Sequence, residues 1–232
     1  MKLDVIVVGA AGRMGQEILV VLKQQKHARV FATVDPSGAA DHRDIHEVHV
    51  PSRKSQAIVI DFSSPRGFLK SLRWCQKNKV AIVSGTTGIA KGQIRALKVA
   101  SKKIPVLWSP NMSVGINIMN EVIREFGRTL RRFDLQIEEI HHCRKKDAPS
   151  GTALMLQKTL RETTDKTLLP PLSIRGGGVF GVHKLWAMSE NEILTLEHTA
   201  LNRQVFAAGA VMAAMWLSQK KKGLYEFRDI LK

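Results

Sequence analysis

Through the first half of the chain, short β-branched apolar runs alternate with stretches whose apolar residues recur three and four positions apart. Runs at 3–8, 29–34, 57–61, 80–84 and 106–107 read as strands. Between them, MGQEILVVLKQQ, PRGFLKSLRWCQKN and KGQIRALKVASKK place their apolar residues on one face of a helix. Strands separated by helices pair in parallel, so this half predicts an α/β domain with a doubly wound parallel sheet. Residues 36–55 are polar, rich in His and Arg and without a period, and read as a loop.

After Asn111 the pattern changes. A helix over about 117–130 is followed by the strand DLQIEEIHH, a polar loop, a helix from Thr152, and two strand-like runs, GVHKLWAMS and EILTLEHTA. This is an α+β block. The tail RQVFAAGAVMAAMWLSQ reads as an apolar helix that returns the chain to the first domain. Residues 112–203 are therefore expected to form an insertion, and residues 1–111 with 204–232 the domain that receives it.

One stretch says what the first domain is for. VIVVGAAGRMGQEI sets Gly9, Gly12 and Gly15 three residues apart between a strand and a helix, with Ala10-Ala11 where a glycine often stands. Small residues there let the backbone approach a pyrophosphate, whose charge meets the N–H groups of the helix start. Asp35 ends the second strand, where an acid accepts hydrogen bonds from an adenosine ribose. A tight turn with an unrelated aspartate is the plainer alternative. The three features in register predict a Rossmann-type domain binding NADH or NADPH. Pro36 after Asp35 leans toward NADH, while Arg13 inside the loop can meet a 2′-phosphate. SGTTG, Ser84 to Gly88, lies at the carboxyl edge of the sheet, and its backbone is expected to meet the nicotinamide half; a simple turn is the alternative.

The second block carries HHCRKKDAPSGTA, His141 to Ala153. Two imidazoles and a cluster of cations precede a helix start. Ser150 is placed to cap that helix, aiming the N–H groups of Gly151 and Thr152 at an anion. Asp147 is placed to orient Lys145 or to tie the loop down. A surface histidine pair and a metal site built on Glu139, His141 and His142 are the alternatives; the latter lacks a settled ligand geometry, so no metal is expected. His183 and His198 read as structural groups, although His183 can line the site. Arg203 either binds substrate or caps its helix.

Composition alters this picture little. The 232 residues are 44% hydrophobic and 24% charged, as in an ordinary globular protein. The apolar runs are too short or too interrupted to span a bilayer, and Cys75 and Cys143, the only cysteines, suggest neither a disulfide framework nor a zinc knuckle. A cytoplasmic protein without membrane contact is expected. The net charge of +16 is scattered in short clusters without a basic arm, so an anionic small molecule is favoured over nucleic acid.

Taken in order, GAAGRMG, IDFSSP, GTTG, SPNMSVGIN, EIHHCRKKDAPSGTAL, RGGGVFGVH and EHTALNRQVFAAGA resemble the 4-hydroxy-tetrahydrodipicolinate (dihydrodipicolinate) reductase family of lysine and diaminopimelate biosynthesis. The likeness runs the length of the chain and is most specific over 139–154; the segment after Asp35 is shorter than is usual in that family. The resemblance implies hydride transfer from NADH or NADPH to a cyclic unsaturated dicarboxylate, then proton delivery to a ring carbon. His141 would be the acid/base, Lys145 the proton donor, His142 a substrate contact, and Gly151 and Thr152 the carboxylate clamp. Cofactor contacts would be Gly9, Ala10, Ala11, Gly12, Arg13, Met14, Asp35, Gly85, Thr86 and Thr87, with Ser109, Pro110, Asn111 and Met112 at the crossing between domains. The family also implies a homotetramer assembled through the second domain. A short-chain dehydrogenase is disfavoured because Tyr225, the only tyrosine, has Asp229 and not lysine four residues on. The rival from another class is a regulatory or nucleic-acid-binding protein that kept the fold and lost turnover.

Overall fold

A computed structural model describes residues 2–50 and 57–232. The chain divides into two compact units, Met1–Met112 with Phe206–Lys232, and Ser113–Val205. These divisions fall one and two residues beyond those read from the sequence.

In the first unit, β1 (Leu3–Val8), α1 (Arg13–Lys23), β2 (Ala28–Val34), β3 (Ala57–Asp61), α2 (Pro65–Asn78), β4 (Ala81–Ser84), α3 (Lys91–Ser101) and β5 (Pro105–Trp108) follow one another. Strands β1, β3 and β4 are buried at every position, which is why they read as unbroken apolar runs. Helix α2 begins at Pro65 because the Ser64 side chain caps it through the Gly67 N–H, and it stops at left-handed Lys79.

The second unit holds α4 (Val114–Leu130), β6 (Asp134–His141), α5 (Gly151–Thr164), β7 (Leu172–Arg175), β8 (Gly181–Met188) and β9 (Ile193–Ala200). Helix α6 (Gln204–Leu217), from Phe206 onward, and β10 (Gly223–Tyr225) complete the first unit. Its six strands run parallel in the order β10-β5-β4-β3-β1-β2. The chain leaves β1 toward β2 and resumes on the other side at β3, so the carboxyl ends of β1 and β3 form the switch point where such sheets bind ligands.

The four-stranded sheet of the second unit, β7-β6-β8-β9, pairs β7 parallel with β6 and the rest antiparallel. Leu135 and Ile137 of β6 and Leu185 and Ala187 of β8 pack with Met119, Ile123, Leu156 and Leu160 of α4 and α5. Alternation carries that face on to Glu139, His141, Gly181 and His183, all buried. The apolar layer thus gives way to ionisable groups at one end.

Three differences from the sequence pattern stand out. Helix α4 starts three residues before 117 because Ser113 caps it through the Ile116 N–H. Strands β7 and β10 are additional, each four residues or fewer. Within 36–50 a single 3-10 turn, Ile45–Glu47, buries Ile45 and Val48; residues 51–56 of the expected loop lie outside the described residues. Among the described residues no helix is long and apolar enough to cross a membrane.

Candidate active site

Steric limits define the glycine loop. Gly9 has φ +81°, and a Cβ there would stand 2.5 Å from the Phe62 carbonyl oxygen. One on Gly15 would stand 2.1 Å from the Gly9 carbonyl oxygen, so α1 can lie against β1 only with glycine at 15. Gly12 begins α1 with no side-chain cap, leaving first-turn N–H groups at Arg13 and Met14 without an intrahelical acceptor. Arg13 is exposed. Asp35 faces this loop: Oδ2 accepts the Ala11 N–H at 3.1 Å and Oδ1 the Ser37 N–H at 3.0 Å. Burial pushes its pKa up, but the bonds from Ser37 and Ala11 prevail and hold it below the ordinary value.

The other expected cofactor residues of this unit are placed largely by their backbone. Thr86 is buried; its hydroxyl donates to Asp61 at 2.8 Å and its carbonyl accepts from Trp108 Nε1 at 3.0 Å. A Cβ on Gly85 would lie 2.2 Å from the Phe62 ring. Thr87 is exposed beside them. The Ser109 hydroxyl donates to the Asn111 carbonyl at 2.7 Å, bending the chain around exposed Pro110. Met112 is buried, and only glycine at 209 lets α6 pass its carbonyl, since a Cβ there would lie 1.7 Å from that oxygen.

In the second unit the chemistry gathers around Glu139, which has no solvent exposure. Its Oε2 receives a short bond from His141 Nδ1 and one from Arg175 Nη1 at 2.9 Å. Its Oε1 accepts Arg175 Nη2 at 2.7 Å and the Ser150 N–H at 3.2 Å. Burial raises the Glu139 pKa, yet the bonds from Arg175, His141 and Ser173 bring it down to about 2. An ionised carboxylate only accepts, so His141 must donate from Nδ1 and carry its lone pair on Nε2. That nitrogen faces Gly181, where a Cβ would stand 2.9 Å away. Glycine at 181 leaves room beside Nε2.

Desolvation lowers the His141 pKa; Glu139 opposes this, while Lys145 and Arg175 add to it. The neutral form of the ring is thus favoured and its tautomer fixed, an arrangement compatible with proton transfer. His183 packs edge-on against it, ring centroids 5.1 Å apart, and shares a 3.1 Å hydrogen bond with Ser150 Oγ. Burial, aided by the neighbouring His141, drops the His183 pKa to about 3.

Lys145 extends from the loop beyond β6, its ammonium on Asp147 at 2.8 and 3.0 Å. Ser150 caps α5 through the Ala153 N–H at 3.1 Å. Nothing lies within 4 Å of a Cβ built on Gly151, so space remains over this helix start. His142 is half-buried, and its Nδ1 is enclosed without a hydrogen-bond partner. His198 bonds to Ser113 Oγ at 3.1 Å and sits against Gly115, while the Arg203 guanidinium lies over the Phe180 ring, 5.4 Å from its centroid.

The second unit therefore brings His141, Lys145, His142 and the Gly151-Thr152 start of α5 around one end of its sheet. Arg175 was not singled out by sequence reasoning, and Glu139 entered only as a metal-ligand alternative. The i, i+2 spacing of Glu139 and His141 on a strand was the available signal, since it puts both side chains on one face. Among the described residues no group of three or more His, Cys, Asp or Glu side chains is arranged to hold a metal ion.

Two family models cover the chain: dihydrodipicolinate reductase, N-terminus, over residues 3–112, and dihydrodipicolinate reductase, C-terminus, over residues 115–231. The chain belongs to the dihydrodipicolinate reductase family. The 4-hydroxy-tetrahydrodipicolinate reductase of Bdellovibrio bacteriovorus is 48% identical over 232 residues, spanning 99% of this chain and 96% of the relative. That of Rickettsia bellii is 37% identical over 237 residues, spanning 97% and 92%. Among solved structures, the dipicolinate-bound dihydrodipicolinate reductase from Paenisporosarcina sp. TG-14 has a TM-score of 0.75 at 23% identity, covering 97% of this chain and 98% of that one. At that identity the likeness speaks for the fold alone. Family membership makes this reductase an oxidoreductase, and its parallel-sheet unit is of the Rossmann type that binds a nicotinamide dinucleotide.

Proposed function

We propose that this reductase converts 4-hydroxy-tetrahydrodipicolinate to tetrahydrodipicolinate in lysine and diaminopimelate biosynthesis. One hydride and one proton are added, and water leaves. The observation that carries this reading is the set of groups at one sheet end: a tautomer-fixed base, an ammonium held on Asp147 and a capped helix start, together suited to an anionic ring that needs a proton.

The glycine loop suits a dinucleotide, because Gly9 and Gly15 lie too close to neighbouring backbone for any Cβ. Gly9 to Met14 would hold the pyrophosphate and Asp35 the adenosine ribose, with Gly85, Thr86, Thr87 and Ser109 to Met112 offering backbone to the nicotinamide half. When bound, the reduced coenzyme supplies the hydride. Gly151 and Thr152 would take one carboxylate at the positive end of α5, and His142 would touch the ring. Lys145, released from Asp147, would deliver the proton, and His141 would serve as acid/base with Glu139 stabilising its charged form.

The sheet face turned away from α4 and α5 bears exposed Leu172, Ile174 and Ile193. Such an apolar face supports a homotetramer built through the second unit. A cytoplasmic location accords with a soluble nicotinamide coenzyme. The test is loss of reduced-nicotinamide absorbance with enzymatically generated substrate, run with NADH and with NADPH. Consumption is expected with both, and consumption with neither would overturn the reading.

A further inference from the structure

The parallel register of β6 and β7 sets Arg175 beside His141, with Glu139 reaching both. Arg175 Nη2 serves two acceptors, Glu139 Oε1 at 2.7 Å and the Asp147 carbonyl at 2.6 Å. Its Nη1 bonds Glu139 Oε2 at 2.9 Å and the Ile174 carbonyl at 2.7 Å. We infer that Arg175 is a positioning residue that ties the charge of His141, through Glu139, to the loop that presents Lys145. The inference rests on the reading of His141 and Lys145 given above and adds a third member that acts through those two.

The physical reason for arginine is its planar fork. Four acceptors lie around one guanidinium, and a lysine ammonium with three donors and no fixed plane cannot meet the two carboxylate oxygens and both carbonyls together. A buried ion pair adds little net stability, so such a pair is retained where its geometry serves something else. Here one end of the fork fixes the carboxylate that selects the His141 tautomer, and the other fixes the backbone two residues after Lys145. The groups around His141 are Glu139 on its own strand, Arg175 on β7, Lys145 on the loop, itself paired with Asp147, and His183 on β8.

This arrangement gives opposite signs for two substitutions. Glu139→Gln removes the anion that favours imidazolium, so the His141 pKa should fall. Arg175→Met removes a nearby cation and frees the carboxylate for His141, so that pKa should rise. NMR titration of the His141 ring reads both without turnover, with shifts of about one pH unit expected. Arg175→Lys keeps the charge and loses the fork: the pKa should stay near wild type while the Lys145 amide, bonded to the His142 carbonyl at 3.0 Å, exchanges faster with solvent. That milder variant covers the case in which Arg175→Met does not fold. Unchanged titration in Glu139→Gln and Arg175→Met, or shifts of the same sign, would overturn the charge link. Unchanged exchange in Arg175→Lys would overturn the loop link. The acid limb of kcat/KM should follow the NMR shifts; if the ring titrates as expected and the limb stays put, the catalytic role of His141 fails while the positioning role stands.

Discussion

Replacing Asp61 with alanine should unhinge the loop that carries Thr86. The carboxylate closes β3 with no solvent exposure and accepts four donors: the Ser63 N–H at 3.1 Å, Ser63 Oγ at 2.8 Å, Ser71 Oγ at 2.5 Å and Thr86 Oγ1 at 2.8 Å. Two donors have a second acceptor in reach, Ser71 Oγ at the Gly67 carbonyl (3.3 Å) and Ser63 Oγ at the Ser64 carbonyl (3.4 Å). The Thr86 hydroxyl and the Ser63 amide have none of comparable geometry. A buried donor left unpaired costs about 1–3 kcal/mol, and the Ser63 amide is only half-buried, so these two set a loss within about 2–6 kcal/mol, toward its lower end. Relief of the desolvated carboxylate offsets part of it, for burial outweighs the hydrogen bonds and raises the Asp61 pKa. The lower half of the range, about 2–4 kcal/mol, is therefore expected, equivalent to a melting temperature lower by about 4–16 °C for a chain of this size. Thermal unfolding by circular dichroism measures it, and NADH titration should show weaker binding as the Gly85-Thr87 backbone loosens. Ser71→Ala removes one donor of four and should cost less than about 1.5 kcal/mol. An Asp61→Ala protein that melts with wild type and binds NADH equally well would refute the reasoning.

Lys145→Ala should lower kcat by about two to four orders of magnitude, as loss of a general acid does, while NADH binding by calorimetry stays normal. Near-wild-type turnover would make Lys145 a plain surface cation. Because Asp35 suits a free ribose hydroxyl and exposed Arg13 can meet a 2′-phosphate, both coenzymes should serve with at most a modest NADH preference; strong NADPH selectivity in parallel kinetics would contradict this. Acid should destabilise the second unit. Glu139 titrates near 2 when folded against an ordinary 4.5, so its contribution is present above 4.5 and is lost as pH falls toward 2. His183 acts in the same direction, since the unfolded ring takes a proton near 6.5 and the folded one only near 3. Urea midpoints against pH should accordingly fall below about 6.5, less steeply in Glu139→Gln.

What could be read from sequence followed local period. The buried strands β1, β3 and β4, the glycine loop, and the capped start of α5 each declare themselves within a few residues. Arg175 does not: it lies 36 positions from Glu139, on a four-residue strand with exposed Leu172, Ser173 and Ile174, and only the β6-β7 register joins the two. Ile45 and Val48 escaped notice because two buried residues in a polar segment make no period. Thr86 was legible as part of a loop at the sheet edge. That its hydroxyl points inward depends on Asp61, 25 positions away.

Strand β10 has a consequence for biosynthesis. It pairs with β5 through Gly223 and Pro105, so the whole second unit lies between the two partners along the chain. A ribosome releases five strands of the parallel sheet, then that unit, and only afterwards α6 and β10. Until then the outer edge of β5 stands open, the kind of edge that recruits strands from other chains. A nascent or clipped polypeptide lacking residues 223–225 would thus carry an intact glycine loop and an adhesive flank together, and the arrival of β10 is what seals it.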